Sequence, residues 1–159
     1  MDIILKKLSE NARFSTADLA ALLNMSETEV TDKINEYEKS GIIRGYTAIL
    51  DDKACGEDQV RALIEVRITP RRDGGFDEVA RRIARFDEVC DLFLVSGNYD
   101  LFLVVRGRTL HEVANFVAAK LATIDGVIST STSFQLKKYK ESGIVMGDEE
   151  EYERLKVCP

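Results

Sequence analysis

Apolar residues near the start of the chain recur at helical spacing. Ile3, Ile4, Leu5 and Leu8 put one apolar face on a helix over residues 2–12. Ser15 stands three residues before Asp18, a pair that satisfies the free N–H groups opening a helix. Leu19, Leu22 and Leu23 give this second helix its buried face. Asn24 can end it, because Asn tolerates the left-handed conformation. Ser26 and Glu29 repeat the cap, and Val30, Ile34 and Tyr37 follow on one face, with Gly41 as terminator. Two capped helices only a few residues apart predict a helix-turn-helix. The period then changes. Residues 42–50 are rich in strand formers and read as a strand or β-wing, and 51–59 read as a polar linker.

The second block predicts a different architecture. Residues 60–69 alternate as a strand, Pro70 ends it, and Gly74-Gly75 make a turn. Phe76, Val79, Ile83 and Phe86 mark an amphipathic helix. Residues 89–96 and 101–105 form a hairpin around Gly97-Asn98-Tyr99-Asp100. Leu110, Val113, Phe116, Val117, Leu121 and Ile124 mark a second helix, broken at Asp125-Gly126, and 127–139 read as a long final strand. The order β-α-β-β-α-β is the split βαβ pattern, an antiparallel sheet with two helices on one face. Its other face needs a cover, and a second copy of the chain is the simplest one.

Composition narrows the function classes. The chain has 159 residues, 45% of them hydrophobic, enough for a buried core. No apolar run reaches a membrane-spanning length and nothing reads as a signal peptide, so a cytoplasmic protein without membrane association is expected. Cys55, Cys90 and Cys158 are far apart and odd in number, against a disulfide framework or zinc site. With one histidine, His111, no metal, no cofactor and no catalytic residues are expected. The net charge of −6 is uneven. Residues 1–52 hold 6 basic and 10 acidic groups, 53–140 hold 14 and 12, and 141–159 hold 2 and 6.

Two places can carry chemistry. The third helix of a helix-turn-helix enters the DNA major groove. Its outward residues here are Thr28, Thr31, Asp32, Asn35 and Lys39; Thr31 and Asn35 can meet bases, and Lys33 and Arg44 can meet phosphates. Glu27, Glu29, Asp32, Glu36 and Glu38 on the same helix oppose that role, and a helical module for protein contacts is the alternative. The second place is the 97–100 turn with Ser129-Thr130-Ser131-Thr132-Ser133. Turn N–H groups suit a carboxylate, and Asp100 can receive an ammonium, as a free amino acid requires. Gly-Asn is equally ordinary hairpin chemistry, and Thr is a favoured strand residue. Arg71-Arg72 and Arg81-Arg82-Arg85 read as a solvated or subunit-facing surface.

Three motifs carry a family resemblance over roughly residues 2–140. The run Gly41-Ile42-Ile43-Arg44-Gly45-Tyr46-Thr47-Ala48-Ile49-Leu50-Asp51 resembles the junction after the helix-turn-helix in the leucine-responsive regulator/asparagine regulator (Lrp/AsnC) family of transcription factors. Val95-Ser96-Gly97-Asn98-Tyr99-Asp100 resembles that family's hairpin, and Thr130-Ser131-Thr132-Ser133-Phe134 with Leu136-Lys137-Lys138-Tyr139 resembles its last strand. The resemblance implies an α+β chain. A winged helix-turn-helix DNA-binding domain covers 1–50 and a linker 51–59. A ferredoxin-like βαββαβ sandwich (the RAM domain) at 60–140 senses effector and oligomerises, and an acidic tail covers 141–159. It further implies a regulator of amino-acid metabolism that binds double-stranded DNA. Its small-molecule effector, an amino acid or related compound, lies between dimers, with homodimer and octamer both open. The implied DNA contacts are Ser26, Thr28, Thr31, Lys33, Asn35 and Arg44. The implied effector contacts are Gly97, Asn98, Tyr99, Asp100, Thr130 and Thr132. Alternatives are a metabolite-sensing assembly module that does not bind DNA, and an enzyme like the siroheme decarboxylases, which resemble the family but would call for more histidine than His111.

Overall fold

The computed structural model describes residues 2–52, 54–56, 59–69 and 75–146. Pro70, Arg71-Arg72, Gly74 and residues 147–159 of the expected acidic tail, Cys158 among them, lie outside the described residues, as do three linker positions. The chain divides into two compact units, Met1–Ala48 and Ile49–Pro159.

The first unit has three helices: α1 (Ile3–Glu10), α2 (Thr16–Leu23) and α3 (Glu27–Lys39). Their ends follow from local chemistry. Asp2 caps α1 through Ile4 N–H at 2.8 Å, the main reason its carboxyl sits below the ordinary range; Tyr37 and Lys33 add to the effect. Ser15 and Ser26 form reciprocal capping boxes with Asp18 and Glu29. Asn24 adopts the left-handed conformation (φ 54°), turning the chain so that α3 starts three residues later. Ile4, Leu19, Ala20 and Val30 are buried at the centre, packed by Leu8, Phe14, Leu23, Met25, Ile34 and Tyr37.

The strand expected over 42–50 does not form. β-prone residues need a hydrogen-bonded neighbour, and this helical unit supplies none. Tyr46 donates instead to Glu38 at 2.9 Å, and Ile42, Tyr46 and Leu50 stay more than half exposed.

The second unit contains β1 (Val60–Ile68), α4 (Asp77–Ile83), β2 (Val89–Leu94), β3 (Leu101–Gly107), α5 (Leu110–Phe116) and β4 (Val127–Phe134). The sheet is antiparallel with order β2-β3-β1-β4. Alternation along β1 sends Ala62, Ile64, Val66 and Ile68 into one layer with Leu101, Leu103 and Val105 of β3. Val79 and Ile83 of α4 and Val113 and Phe116 of α5 close that layer. Phe86 meets Phe116 edge to face, with centroids 5.5 Å apart. The other face carries Leu63, Glu65 and Arg67 of β1, paired with Val104 and Phe102 of β3 and with Ser133, Ser131 and Ser129 of β4.

Two elements differ from expectation. After Phe116 the second helix widens into a π-helical turn, Val117–Leu121, closed by Ala122 N–H to the Val117 carbonyl at 2.8 Å. The long final strand stops at Phe134, opposite Ala62, because β1 has almost no residues left to pair with it. Only Gln135 N–H reaches further, to the Arg61 carbonyl. The chain then forms a small hairpin, β5 (Lys140–Glu141) and β6 (Ile144–Val145).

Four charges tie that hairpin down. Arg61 pairs with Glu141 at 3.0 Å and Asp52 at 3.9 Å; Lys138 pairs with Glu141 at 2.6 Å and Asp52 at 3.0 Å. The Lys138 bond holds the Glu141 carboxyl below its ordinary range. Burial works against the charge on Lys138, but its bonds to Glu141 and Asp52 outweigh it and hold the proton more firmly than usual.

Candidate DNA-reading helix and effector recess

Val30 is buried and Ile34 and Tyr37 pack on the helical core, which fixes the rotation of α3. At about 100° per residue, the opposite face carries Thr28, Asp32, Asn35 and Lys39, with Thr31 at its edge. All of these but the half-buried Thr31 are exposed. The acids that oppose DNA binding are largely occupied at the flanks. Glu27 accepts from the Thr16 hydroxyl at 2.9 Å, clamping α2 to α3. Glu29 accepts from Ser26 N–H and hydroxyl, which holds its carboxyl below the ordinary range. Glu38 accepts from Tyr46.

The six sequence-expected DNA residues are not equivalent. Thr28 and Asn35 are exposed on the outward face. Thr31 donates to the Glu27 carbonyl at 2.8 Å, which leaves its hydroxyl able to accept. Ser26 is occupied as a cap. Lys33 leans to Asp2 at 3.6 Å. Arg44 is exposed and lies over Gly41, where a Cβ would come within 3.0 Å of its guanidinium carbon.

In the second unit a recess of about 190 Å³ opens between β1, β4 and the β2–β3 turn. Glu65, Arg67, Asn98, Tyr99, Ser129, Thr130 and Ser131 line it. The sheet register builds it: Glu65 stands opposite Ser131 and Arg67 opposite Ser129. Arg67 Nε donates to the Asn98 carbonyl at 2.7 Å, tying strand to turn, and Tyr99 leans on Phe102 at 6.2 Å. A carboxylate, a guanidinium and hydroxyls therefore converge on one small recess.

Three of the six sequence-expected effector residues line this recess: Asn98, Tyr99 and Thr130. Gly97, Asp100 and Thr132 do not. Thr132 pairs with buried Ile64, on the helix side of the sheet. Asp100 Oδ2 accepts from Ile68 N–H at 2.8 Å, and its own N–H donates to the Val66 carbonyl at 3.0 Å. It thus closes the end of β1 beside a bulge at Arg67/Ile68. Ser129 and Ser131 belong to the 129–133 segment singled out from the sequence, though not to those six; Glu65 and Arg67 were missed. Their signal was the polar alternation of β1 against the serines of β4, which acquires meaning only once the register is known.

Comparison with known proteins identifies both units. Residues 3–44 match the winged helix-turn-helix DNA-binding model, and residues 61–145 match the Lrp/AsnC ligand-binding domain model. The HTH-type transcriptional regulator YugG of Bacillus subtilis is 44% identical over 157 residues, covering 98% of this chain and 95% of that protein. The structure of Escherichia coli AsnC superposes with a TM-score of 0.66 at 26% identity, over 89% of this chain and 93% of the other. A Neisseria meningitidis transcriptional regulator solved as its L-Met complex superposes with a TM-score of 0.69, at 26% identity and the same coverage. A DNA-binding helix-turn-helix joined to a ligand-binding sheet defines a ligand-responsive transcriptional regulator. The chain belongs to the Lrp/AsnC family.

Proposed function

We propose that the effector is a small amino acid or a close zwitterionic relative, held in the 65/67/129/131 recess. The carrying observation is the convergence there of Glu65 and Arg67, two residues apart on one strand face, with Ser129 and Ser131 opposite. Glu65 suits the ammonium, Arg67 the carboxylate, and the serines fill the remaining bonds. The L-Met complex of the Neisseria relative supports this ligand class.

The working unit is a homodimer or a larger assembly of dimers. The sheet face opposite the helices supports it: Phe93 is about half exposed there, beside Leu63, Phe102 and Val104. Thr28, Thr31 and Asn35 contact bases, Ser26, Lys33 and Arg44 contact the backbone, and effector binding adjusts the regulation of amino-acid metabolism. The protein works in the cytoplasm, without enzymatic activity; its relatives are regulators and His111 lies exposed at the start of α5.

A thermal-shift screen of the twenty amino acids tests the ligand class, because a ligand specific to the native state raises Tm. One or a few amino acids should stabilise wild type. Glu65→Gln and Arg67→Gln should each weaken that ligand roughly tenfold or more, since hydrogen bonds to charged groups contribute about 1.5–3 kcal/mol. Unchanged affinity in both variants would refute the site.

A further inference from the structure

On the outward face of α3 the Asp32 carboxylate has no internal use among the described residues. Glu27, Glu29 and Glu38 are each engaged by a neighbour, and Glu36 lies about 40° round from Asp32, away from Thr28 and Asn35. Asp32 is exposed between Thr28 and Asn35 on the outward stripe, and no hydrogen bond or ion pair to it is found among the described residues. A groove edged by phosphates repels such a group unless a donor meets it.

We infer that Asp32 is a specificity-determining residue that reads a cytosine in the major groove. This rests on the assignment of α3 as the base-reading helix and adds the base it selects. A carboxylate only accepts hydrogen bonds. Guanine offers it N7 and O6, both acceptors, and thymine offers O4 and a methyl group; both are rejected. Cytosine offers the N4 amino group, with no acceptor on its own major-groove edge. Adenine offers N6–H next to N7, a pattern that suits an amide such as Asn35, with both donor and acceptor, better than a carboxylate. Asp32 and Asn35 are separated by about 4.5 Å along the helix axis, close to one base step. The preferred half-site therefore holds a cytosine and an adenine on adjacent or nearly adjacent base pairs. Asp32 acts through selection rather than affinity: it weakens every site that lacks the cytosine.

In vitro selection from a randomised duplex library tests this, using the full-length wild type, Asp32→Asn and Asp32→Ala. Anisotropy titrations on the selected duplexes give the affinities. The wild-type motif should contain the cytosine, and replacing that base should weaken binding about tenfold. Asp32→Asn should move the preference at that position to adenine with the rest of the motif unchanged, and Asp32→Ala should leave the position degenerate. The same motif for all three proteins, with the variants binding every duplex more tightly, would overturn the assignment and reduce Asp32 to a repulsive charge. A wild type that selects no motif at all would overturn the reading of α3 itself, and Asp32's role with it.

Discussion

Replacing Asp100 by alanine separates a structural role from a ligand-binding one. Asp100 Oδ2 takes the N–H of Ile68, a residue with 2% exposure at the end of β1. Alanine removes the acceptor and leaves that N–H partly buried without a partner. A hydrogen bond to a charged group contributes about 1.5–3 kcal/mol, so a loss of about 2 kcal/mol is expected. For a unit of roughly 100 residues this lowers Tm by about 8–16 °C. Asparagine keeps an oxygen at the same place and should recover most of the loss. The assay is thermal and urea unfolding of full-length wild type, Asp100→Ala and Asp100→Asn, with effector titration alongside. Asp100→Ala melting like wild type but failing to bind effector would refute the structural reasoning and return Asp100 to the ammonium role. Asp100→Asn as unstable as Asp100→Ala would refute the hydrogen-bond account.

Other consequences follow from the same geometry. Ser26→Ala removes the cap of α3 and should destabilise the helical unit by about 1 kcal/mol in chemical unfolding, with loss of DNA affinity at temperatures near its transition. Asp18 and Glu29 have folded pKa values below their ordinary 3.8 and 4.5, held there by Ser15 and Ser26. A depressed carboxylate gives its full stabilisation above the ordinary value and loses it as pH falls through the folded one, so melts followed by helical circular dichroism should weaken below about pH 4.5. Ser15→Ala/Ser26→Ala should flatten that dependence; an unaltered pH profile would contradict the caps. Gly126→Ala should destabilise the sheet unit by about 1–2 kcal/mol or more. Gly126 has φ 99°, and an added Cβ would sit 3.2 Å from Val79 Cγ2.

What the sequence made legible was the chemistry that acts within a few residues. Both Ser caps and the Asn24 turn are local, and each appears where the spacing placed it. The apolar faces are only partly so: Ile4, Leu19 and Val30 are buried, but Leu22, expected on the buried face of α2, is 55% exposed because Ala20 shares the inner face with Leu19 and Leu23, and Ile3 of α1 is 48% exposed. The β-α-β-β-α-β order was legible for the same reason, since each strand carried its own alternation and turn. The misses are non-local. Residues 42–50 have strand propensity, but a strand exists only with a partner. The final strand ended early because β1 ended, which no property of residues 135–139 reveals. The π-helical turn after Phe116 replaces a plain helix of the same composition, and nothing in the structure explains why it widens there. The recess was half legible: the turn residues Asn98 and Tyr99 announce themselves, whereas Glu65 and Arg67 resemble any solvated strand face until β4 is aligned beside them.

The Asp52–Arg61–Lys138–Glu141 network has a consequence for how the sheet unit yields. Both cations share both anions, so the segment leading into the first strand and the segment leaving the last are fastened by one knot. Loosening either partner of the knot frees two stretches of backbone that lie almost ninety positions apart along the chain, and effects of substitutions at Asp52 and Glu141 should therefore fail to add. Raised salt slackens the same knot, because its members are partly open to solvent.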